Sequence, residues 1–97
     1  MKKLKEEIQS AVNIFKSGNL SKAEQVSKKL IKANPDVVFL YNLLGLILSG
    51  QGKSEQAIES YEKGIKIDPN FAMIYNNLAL LFVNRQSSSD IKKAENY

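Results

Sequence analysis

Proline, glycine, alanine and large apolar residues recur in this chain at intervals of 34 residues. The recurring sets are Pro35 and Pro69; Gly18 and Gly52; Ala23 and Ala57; Ala11, Gly45 and Ala79; and Ile14, Leu48 and Phe82. A fixed period of this length is typical of proteins built from stacked structural repeats. The period constrains the fold more strongly than any other feature of the sequence.

Each period contains two apolar segments, separated by a break that contains glycine and closed by a proline. In the central period, residues 38–48 are apolar except for Asn42, a Gly-Gln-Gly break follows, and the next amphipathic segment ends at Pro69. Glycine readily adopts the left-handed conformation in which many helices end, and proline disfavours helical backbone in the residue before it. This order predicts two antiparallel helices joined by a tight turn, with the small residues lying where the helices cross closely.

The same pattern along the whole chain predicts five full helices and a short sixth one. The predicted helical spans are 3–16, 20–33, 37–49, 54–67 and 71–84, followed by a polar loop at 85–90 and the first turns of a sixth helix at 91–97. Ala79 and Ala94 are 15 residues apart, whereas Gly45 and Ala57 are 12 apart. Either the last turn is longer than the others, which its polar serines favour, or Ile91 occupies the alanine site.

Composition limits the classes of function that the chain can have. The 97 residues include no cysteine and no histidine, which excludes disulfides, thiolate chemistry and the commonest zinc ligand. The net charge of +4 comes from scattered lysines that are not interleaved with aromatic residues, so nucleic-acid binding is not expected. The most apolar stretch, 37–48, is shorter than the roughly 20 residues of a membrane helix. No catalytic constellation is apparent, so we expect no enzymatic activity, no cofactor, no metal and no membrane contact, with a cytoplasmic location by default.

At the recurring positions the chain resembles a tetratricopeptide repeat array. The second repeat carries the family pattern at Tyr41, Leu44, Gly45, Ala57, Tyr61, Gly64 and Pro69, and departs from it only at Leu48, where an aliphatic residue replaces an aromatic one. The third repeat begins the pattern at Tyr75, Leu78, Ala79 and Phe82. The first repeat keeps Ala11, Ala23 and Pro35, but has Glu7, Ser10 and Ser27 where bulky residues are usual. The resemblance implies an all-α fold, an α-solenoid of antiparallel helix pairs in a right-handed superhelix. Its repeats would be 3–36, 37–70 and an incomplete 71–97, as in a fragment of a longer array.

The resemblance also implies a non-enzymatic function, in which a concave groove lined by the first helix of each repeat binds a peptide or helix of a partner protein. The groove positions are Lys5, Ile8, Gln9, Val12, Phe15, Phe39, Asn42, Leu43, Leu46, Met73, Asn76, Asn77, Leu80 and Asn84. The strip would be apolar and partly exposed, and consists of Phe39, Leu43, Leu46, Met73 and Leu80. Asn42, Asn76 and Asn77 would form hydrogen bonds to a peptide backbone. The apolar members equally fit packing against neighbouring helices.

Family members that bind chaperone tails clamp a terminal carboxylate with basic and amide side chains. The equivalent positions here are Ile8, Val12, Leu43, Met73 and Asn77, so the clamp is absent and acidic tails are not expected to bind strongly. An alternative function is substrate recruitment by a larger transferase-type enzyme. Glycosyltransferase relatives of this family carry a row of asparagines, called an asparagine ladder, along the groove; Asn77 matches one of its positions, but Gln9 and Leu43 do not continue it. The incomplete third repeat also predicts an uncovered apolar face at Leu78, Leu81 and Phe82, which self-association or exchange of the tail would bury.

Overall fold

A computed structural model describes the backbone of residues 2–95 and the side chains of residues 3–84. The described backbone consists of five helices and contains no strand. The helices are α1 (Lys2–Lys16), α2 (Leu20–Ala33), α3 (Val38–Gly50), α4 (Ser54–Ile67) and α5 (Ala72–Glu95). The predicted all-α fold class is confirmed, and the first four helices lie within about one residue of their predicted spans.

The helix ends follow the turn chemistry of the sequence. Gly18 and Gly52 adopt positive φ angles of 90° and 79°, a conformation that favours glycine, in the two short turns after α1 and α3. The Asn19 side chain accepts a hydrogen bond of 3.2 Å from the backbone N–H of Lys22 and so caps α2. These turns bring α1 against α2 and α3 against α4.

The proline links that follow α2 and α4 are alike in detail. The hydroxyl of Tyr41 donates a hydrogen bond of 2.8 Å to the carbonyl oxygen of Pro35. The hydroxyl of Tyr75 donates one of 2.7 Å to the carbonyl oxygen of Pro69. The same contact therefore recurs after one period of 34 residues, and it fixes the entry of α3 and α5.

Two apolar clusters form the core, and α3 belongs to both. The first cluster comprises Ala11, Ala23, Leu30, Leu40, Leu43 and Ile47, and the second comprises Leu44, Leu48, Ala57, Tyr61, Ile74 and Leu81. Because α3 contacts all four other helices, its apolar side chains are buried on nearly every side.

The small residues at the central crossing behave as the sequence predicts. Gly45 is buried, and a Cβ built on it would lie 2.6 Å from both Cδ1 and Cζ of Tyr61, so only glycine fits under this ring. Ala11, Ala23 and Ala57 are also fully buried. Ala79 differs, because its side chain is exposed.

The structure corrects the prediction for the end of the chain. The helix that was expected to stop at residue 84 continues as α5 to Glu95, so the polar loop at 85–90 and a separate sixth helix are not present over residues 72–95. The physical reason is that residues 85–90 contain neither glycine nor proline, and serine lowers helix stability only modestly. Asn96 and Tyr97, which the prediction placed in the sixth helix, lie outside the described residues.

The predicted uncovered face of the fifth helix also needs correction. Leu81 is buried and Leu78 packs against the second cluster, whereas the Phe82 side chain is 48% exposed. The helix turns Leu81 and Ile74 towards α3 and α4, so the uncovered face instead carries Tyr75, Ala79 and Phe82.

Candidate functional site

The candidate groove residues all lie on α1, α3 and α5. These helices alternate with α2 and α4 along the chain, and α3 contacts both α1 and α5. The three helices therefore form one wall of the molecule, and the side chains that remain accessible on this wall decide what it can bind.

On α1 the candidate residues comprise half-buried apolar side chains and exposed polar ones. Ile8, Val12 and Phe15 are half-buried and pack against the first cluster, so each leaves only part of its side chain accessible. Lys5 and Gln9 are exposed, and the Gln9 amide donates a hydrogen bond of 3.0 Å to Oδ1 of Asn13 one turn later. This helix can offer partial apolar contacts and one amide edge.

On α3 the structure separates the predicted residues into two groups. Phe39 and Leu46 are partly exposed, whereas Asn42 and Leu43 are only 1% and 3% exposed. The side chains of Asn42 and Leu43 therefore belong to the packing between helices and offer a ligand almost no surface. The reason is that α3 is covered by helices on several sides, which leaves only a narrow accessible stripe.

On α5 the predicted residues are the most accessible of the set. Met73 is 51% exposed and Leu80 is 60% exposed. Asn76 and Asn84 are exposed beside them, and Asn77 is partly buried. This part of the wall combines apolar side chains with amides that can both donate and accept hydrogen bonds.

One hydrogen bond links the wall across α3 and α5. Nδ2 of Asn77 donates to Oδ1 of Asn42 over 2.8 Å. The amide of Asn42 is nearly buried, and a buried polar group without a partner is costly, so this bond satisfies its oxygen and fixes the spacing of the two helices. The sequence showed asparagines at both positions, but their 35-residue separation, one more than the period, gave no sign that they pair.

Two cavities outside this wall were not anticipated from the sequence. The first, of about 270 Å³, lies over α3 between α2 and α4 and is lined by Lys28, Ile31, Tyr41, Leu44, Leu48, Gln56, Glu59, Ser60 and Lys63. The second, of about 380 Å³, lies between α1 and α2 and is lined by Glu7, Ser10, Val26, Lys29, Leu30 and Ala33. Glu7, Ser10, Val26 and Lys29 stand one period before Tyr41, Leu44, Ser60 and Lys63, so the two cavities are equivalent places in successive helix pairs.

The main charge cluster also lies away from the candidate wall. Glu24 on α2 forms ion pairs of 2.6 Å with Lys28 and 3.2 Å with Lys53 in the turn after α3. Hydrogen bonding by Lys28, reinforced by Lys53, holds the pKa of the Glu24 carboxyl below its usual value of 4.5 despite partial burial. On the candidate wall Lys5 is the one ionisable residue among the fourteen positions.

Among the residues that the structure describes, no group of three or more acidic, cysteine or histidine side chains is arranged to hold a metal ion. Within the same residues, no helix combines the length and the apolar character needed to cross a membrane.

Two repeat-family models match the part of the chain that carries the 34-residue period. A family model described as "TPR repeat" matches residues 50–85, and one described as "Tetratricopeptide repeat" matches residues 27–59. The two matches overlap and together extend from α2 into α5. A search of curated proteins found no match.

Several solved structures share the fold at low sequence identity. The Yersinia enterocolitica type III secretion chaperone SycD, in complex with a peptide of the translocator YopD, has a TM-score of 0.82 and 21% identity, covering 89% of this chain and 66% of that chain. A domain of yeast Sti1 in a complex with an Hsp70 peptide has a TM-score of 0.82 and 21% identity, covering 93% and 72%. A mutant of MamA has a TM-score of 0.75 and 19% identity, covering 99% and 73%. The chain thus spans less than two thirds of the length of the SycD chain.

Proposed function

Because this chain belongs to the tetratricopeptide repeat proteins, we propose that it binds a segment of a partner protein along the wall formed by α1, α3 and α5. In this function the chain acts as an interaction module and not as an enzyme. Two proteins of similar fold are described as complexes with peptides, SycD with a YopD peptide and the Sti1 domain with an Hsp70 peptide, and these precedents support the proposal.

The observation that carries the proposal is the exposure of Met73 and Leu80. Both side chains stand more than half exposed on α5, and the partly exposed Phe39 and Leu46 lie on the adjacent helix α3. Apolar surface of this extent on a small domain is a common mark of an interaction site. Burial of these side chains against a ligand supplies the free energy of binding, at roughly 25 cal/mol per Å² of apolar surface.

The amide side chains suggest how the ligand is oriented. Asn76 and Asn84 are exposed beside Leu80, and each can donate to a carbonyl oxygen and accept from an N–H of a peptide backbone. The Asn77 amide is already committed through its nitrogen to the bond with α3. We therefore propose that Asn76 and Asn84 form hydrogen bonds with the backbone of the peptide, while Met73 and Leu80 contact the apolar side chains of the peptide.

Acidic chaperone tails are poor candidates for this wall. The positions that would hold the carboxylate clamp are occupied by Ile8, Val12, Leu43, Met73 and Asn77, none of which carries a positive charge. The side chain of Leu43 is also buried. We propose that the preferred ligand is an apolar segment that binds without a requirement for a free carboxylate.

A displayed peptide library tests the proposal directly. We expect selected peptides to be rich in large apolar residues, and a Leu80→Glu variant to lose them because the substitution places a charge in the apolar contact. Val83→Glu is the matched control, since Val83 is 56% exposed on the same helix but outside the proposed wall. Equal loss of binding in both variants, or selection of acidic carboxyl-terminal peptides by the unchanged chain, would refute the proposal.

A role as the substrate-recruiting part of a larger transferase-type enzyme is the alternative. It rests on Asn77 alone, because Gln9 and the buried Leu43 do not extend an asparagine ladder. The Asn77 nitrogen also bonds to Asn42 instead of facing a ligand. Recruitment of a protein substrate through the same wall would involve Met73 and Leu80 equally, so the library experiment applies to both functions.

A further inference from the structure

The cavity between α2 and α4 is not used by the proposed peptide-binding function. Both helices pack on α3, but the Cα atoms of α2 stay more than 8 Å from those of α4, which leaves a gap of about 270 Å³ above α3. The lining extends over residues 41–48 of α3 and 56–63 of α4, which is about 10 Å along each helix at a rise of about 1.5 Å per residue. The cavity is therefore a short, elongated slot.

The floor of this cavity offers a ligand mainly apolar surface. Tyr41 and Leu44 of α3 line it together with Ile31 of α2. The two hydroxyl protons nearby are already engaged, because Tyr41 donates to the carbonyl oxygen of Pro35 and Ser60 donates to the carbonyl oxygen of Tyr41. The floor therefore favours contact with the apolar part of a ligand.

The rim of the cavity carries one lysine on each side, Lys28 on α2 and Lys63 on α4. Their side chains are 54% and 61% exposed. Lys28 shares the carboxylate of Glu24 with Lys53. Lys63 lies 3.8 Å from a carboxylate oxygen of Glu59, the one acidic residue of the lining. Three lysines thus have two carboxylates between them, so the rim keeps a net positive charge that complements an anion.

The equivalent cavity of the first helix pair has a different chemistry. Glu7 and Ser10 stand there in place of Tyr41 and Leu44, so its floor is polar and carries a carboxylate. Its one lysine, Lys29, is balanced by Glu7. The combination of an apolar floor with a positive rim is therefore particular to the cavity between α2 and α4.

We propose that the cavity between α2 and α4 binds a medium-chain carboxylate, an anion with an unbranched apolar tail, such as octanoate. The tail lies along the slot against Ile31, Tyr41 and Leu44, and the carboxylate group is held at the rim by Lys28 and Lys63. Burial of the tail removes apolar surface from water, whereas the exposed lysines keep the head group hydrated, so no charge has to be buried. This site is separate from the peptide-binding wall and does not depend on its function.

Nuclear magnetic resonance titrations of the complete, isotope-labelled chain with three small molecules test the two parts of the ligand. We expect octanoate to bind with a Kd of about 0.1–1 mM and to shift the amide signals around Leu44 and Ser60. Butanoate should bind at least about tenfold more weakly, because its shorter tail buries fewer methylene groups. The uncharged 1-octanol should bind at least about threefold more weakly, because it lacks the charge that the lysines attract.

Charge variants locate the anion. The double variant Lys28→Gln, Lys63→Gln should weaken octanoate binding at least about fivefold and change the affinity for 1-octanol by less than about twofold. Lys29→Gln is the matched control, since Lys29 is also exposed on α2 but lines the other cavity, and it should leave octanoate affinity within about twofold. Glu59→Gln should strengthen octanoate binding about twofold, because it removes the carboxylate that competes for Lys63. Circular dichroism checks that these surface variants stay folded.

Several results would overturn the proposal. These are the absence of shifts with octanoate at about 20 mM, well above the expected Kd, equal affinities for octanoate and 1-octanol, and equal losses in the double variant and in Lys29→Gln. The variant Leu80→Glu, on the peptide-binding wall, should bind octanoate as the unchanged chain does. Loss of octanoate binding in that variant would mean that the molecule occupies the wall, and the proposed site would be wrong.

Discussion

Replacement of Gly45 by alanine tests the central helix crossing. In an ordinary helix interior this substitution stabilises a protein by about 1 kcal/mol, because alanine loses less backbone entropy on folding. Here the new methyl group would lie 2.6 Å from Cδ1 and Cζ of Tyr61, far inside the normal carbon–carbon separation of about 3.5–4.0 Å. The Tyr61 ring is only 1% exposed, so it has no free space into which to move.

The magnitude follows from the two opposing effects. Overpacking of a filled core costs about 1–3 kcal/mol, and the severity of this overlap indicates a value near about 3 kcal/mol. After subtraction of the helix-propensity gain, Gly45→Ala should lower the free energy of unfolding by about 2 kcal/mol. For a chain of this size, such a loss lowers the melting temperature by about 8–16 °C.

The assay is thermal and urea unfolding followed by circular dichroism, with a double-mutant cycle as the control. In a Tyr61→Ser background, which copies the Ala11 and Ser27 combination of the first helix pair, Gly45→Ala should instead raise stability by about 1 kcal/mol. An excluded osmolyte keeps this weakened background folded. An increase in melting temperature for Gly45→Ala alone would show that the ring does not restrict the crossing.

Three other predictions concern polar groups. The lowered pKa of Glu24 implies a stabilising contribution that is present above the unfolded pKa of 4.5 and is lost as pH falls through the folded pKa. Glu24→Gln should remove up to about 1 kcal/mol of the pH dependence of the free energy of unfolding, measured by urea titration. Glu59→Gln is the control, because the Glu59 side chain is 70% exposed. Burial raises the pKa of Tyr61 to about 12, so the contribution of this side chain to stability should be constant below pH 10, its unfolded value, and fall by about 3 kcal/mol as pH rises from 10 to 12. Tyr61→Phe should remove this fall, which tyrosinate absorbance and ellipticity measure. Asn77→Ala should cost about 1–3 kcal/mol because it leaves a buried amide oxygen on α3 unpaired, whereas Asn76→Ala, at an exposed position, should change the urea midpoint little.

The boundaries of the first four helices could be predicted because their turns are chemically explicit. Glycines at positive φ end α1 and α3, and α2 and α4 end two residues before a proline. No comparable signal exists after residue 84. The polar serines there were interpreted as a loop, but helix continuation requires only that nothing interrupts the backbone hydrogen bonds, and nothing in residues 85–90 does.

The candidate site could be predicted only in part, because burial depends on how many neighbours a helix has. The family positions lie on α1, α3 and α5, and on α5 they include exposed residues such as Leu80. On α3 the same reasoning selected Asn42 as a ligand contact, although this helix is enclosed and the amide bonds to Asn77 instead. A polar residue in an otherwise apolar helix has two explanations, and the choice between them needs the positions of the neighbouring helices.

The membership of α3 in both apolar clusters has a consequence for how the chain melts. Leu40, Leu43 and Ile47 belong to the core of the amino-terminal half, whereas Leu44 and Leu48 on the same helix belong to the core of the carboxyl-terminal half. Neither half can unfold alone without exposing one side of α3, so heat and denaturant should unfold both halves in a single cooperative step. Amide exchange should accordingly be slowest in the middle of α3, where the free energy of opening should match that of global unfolding.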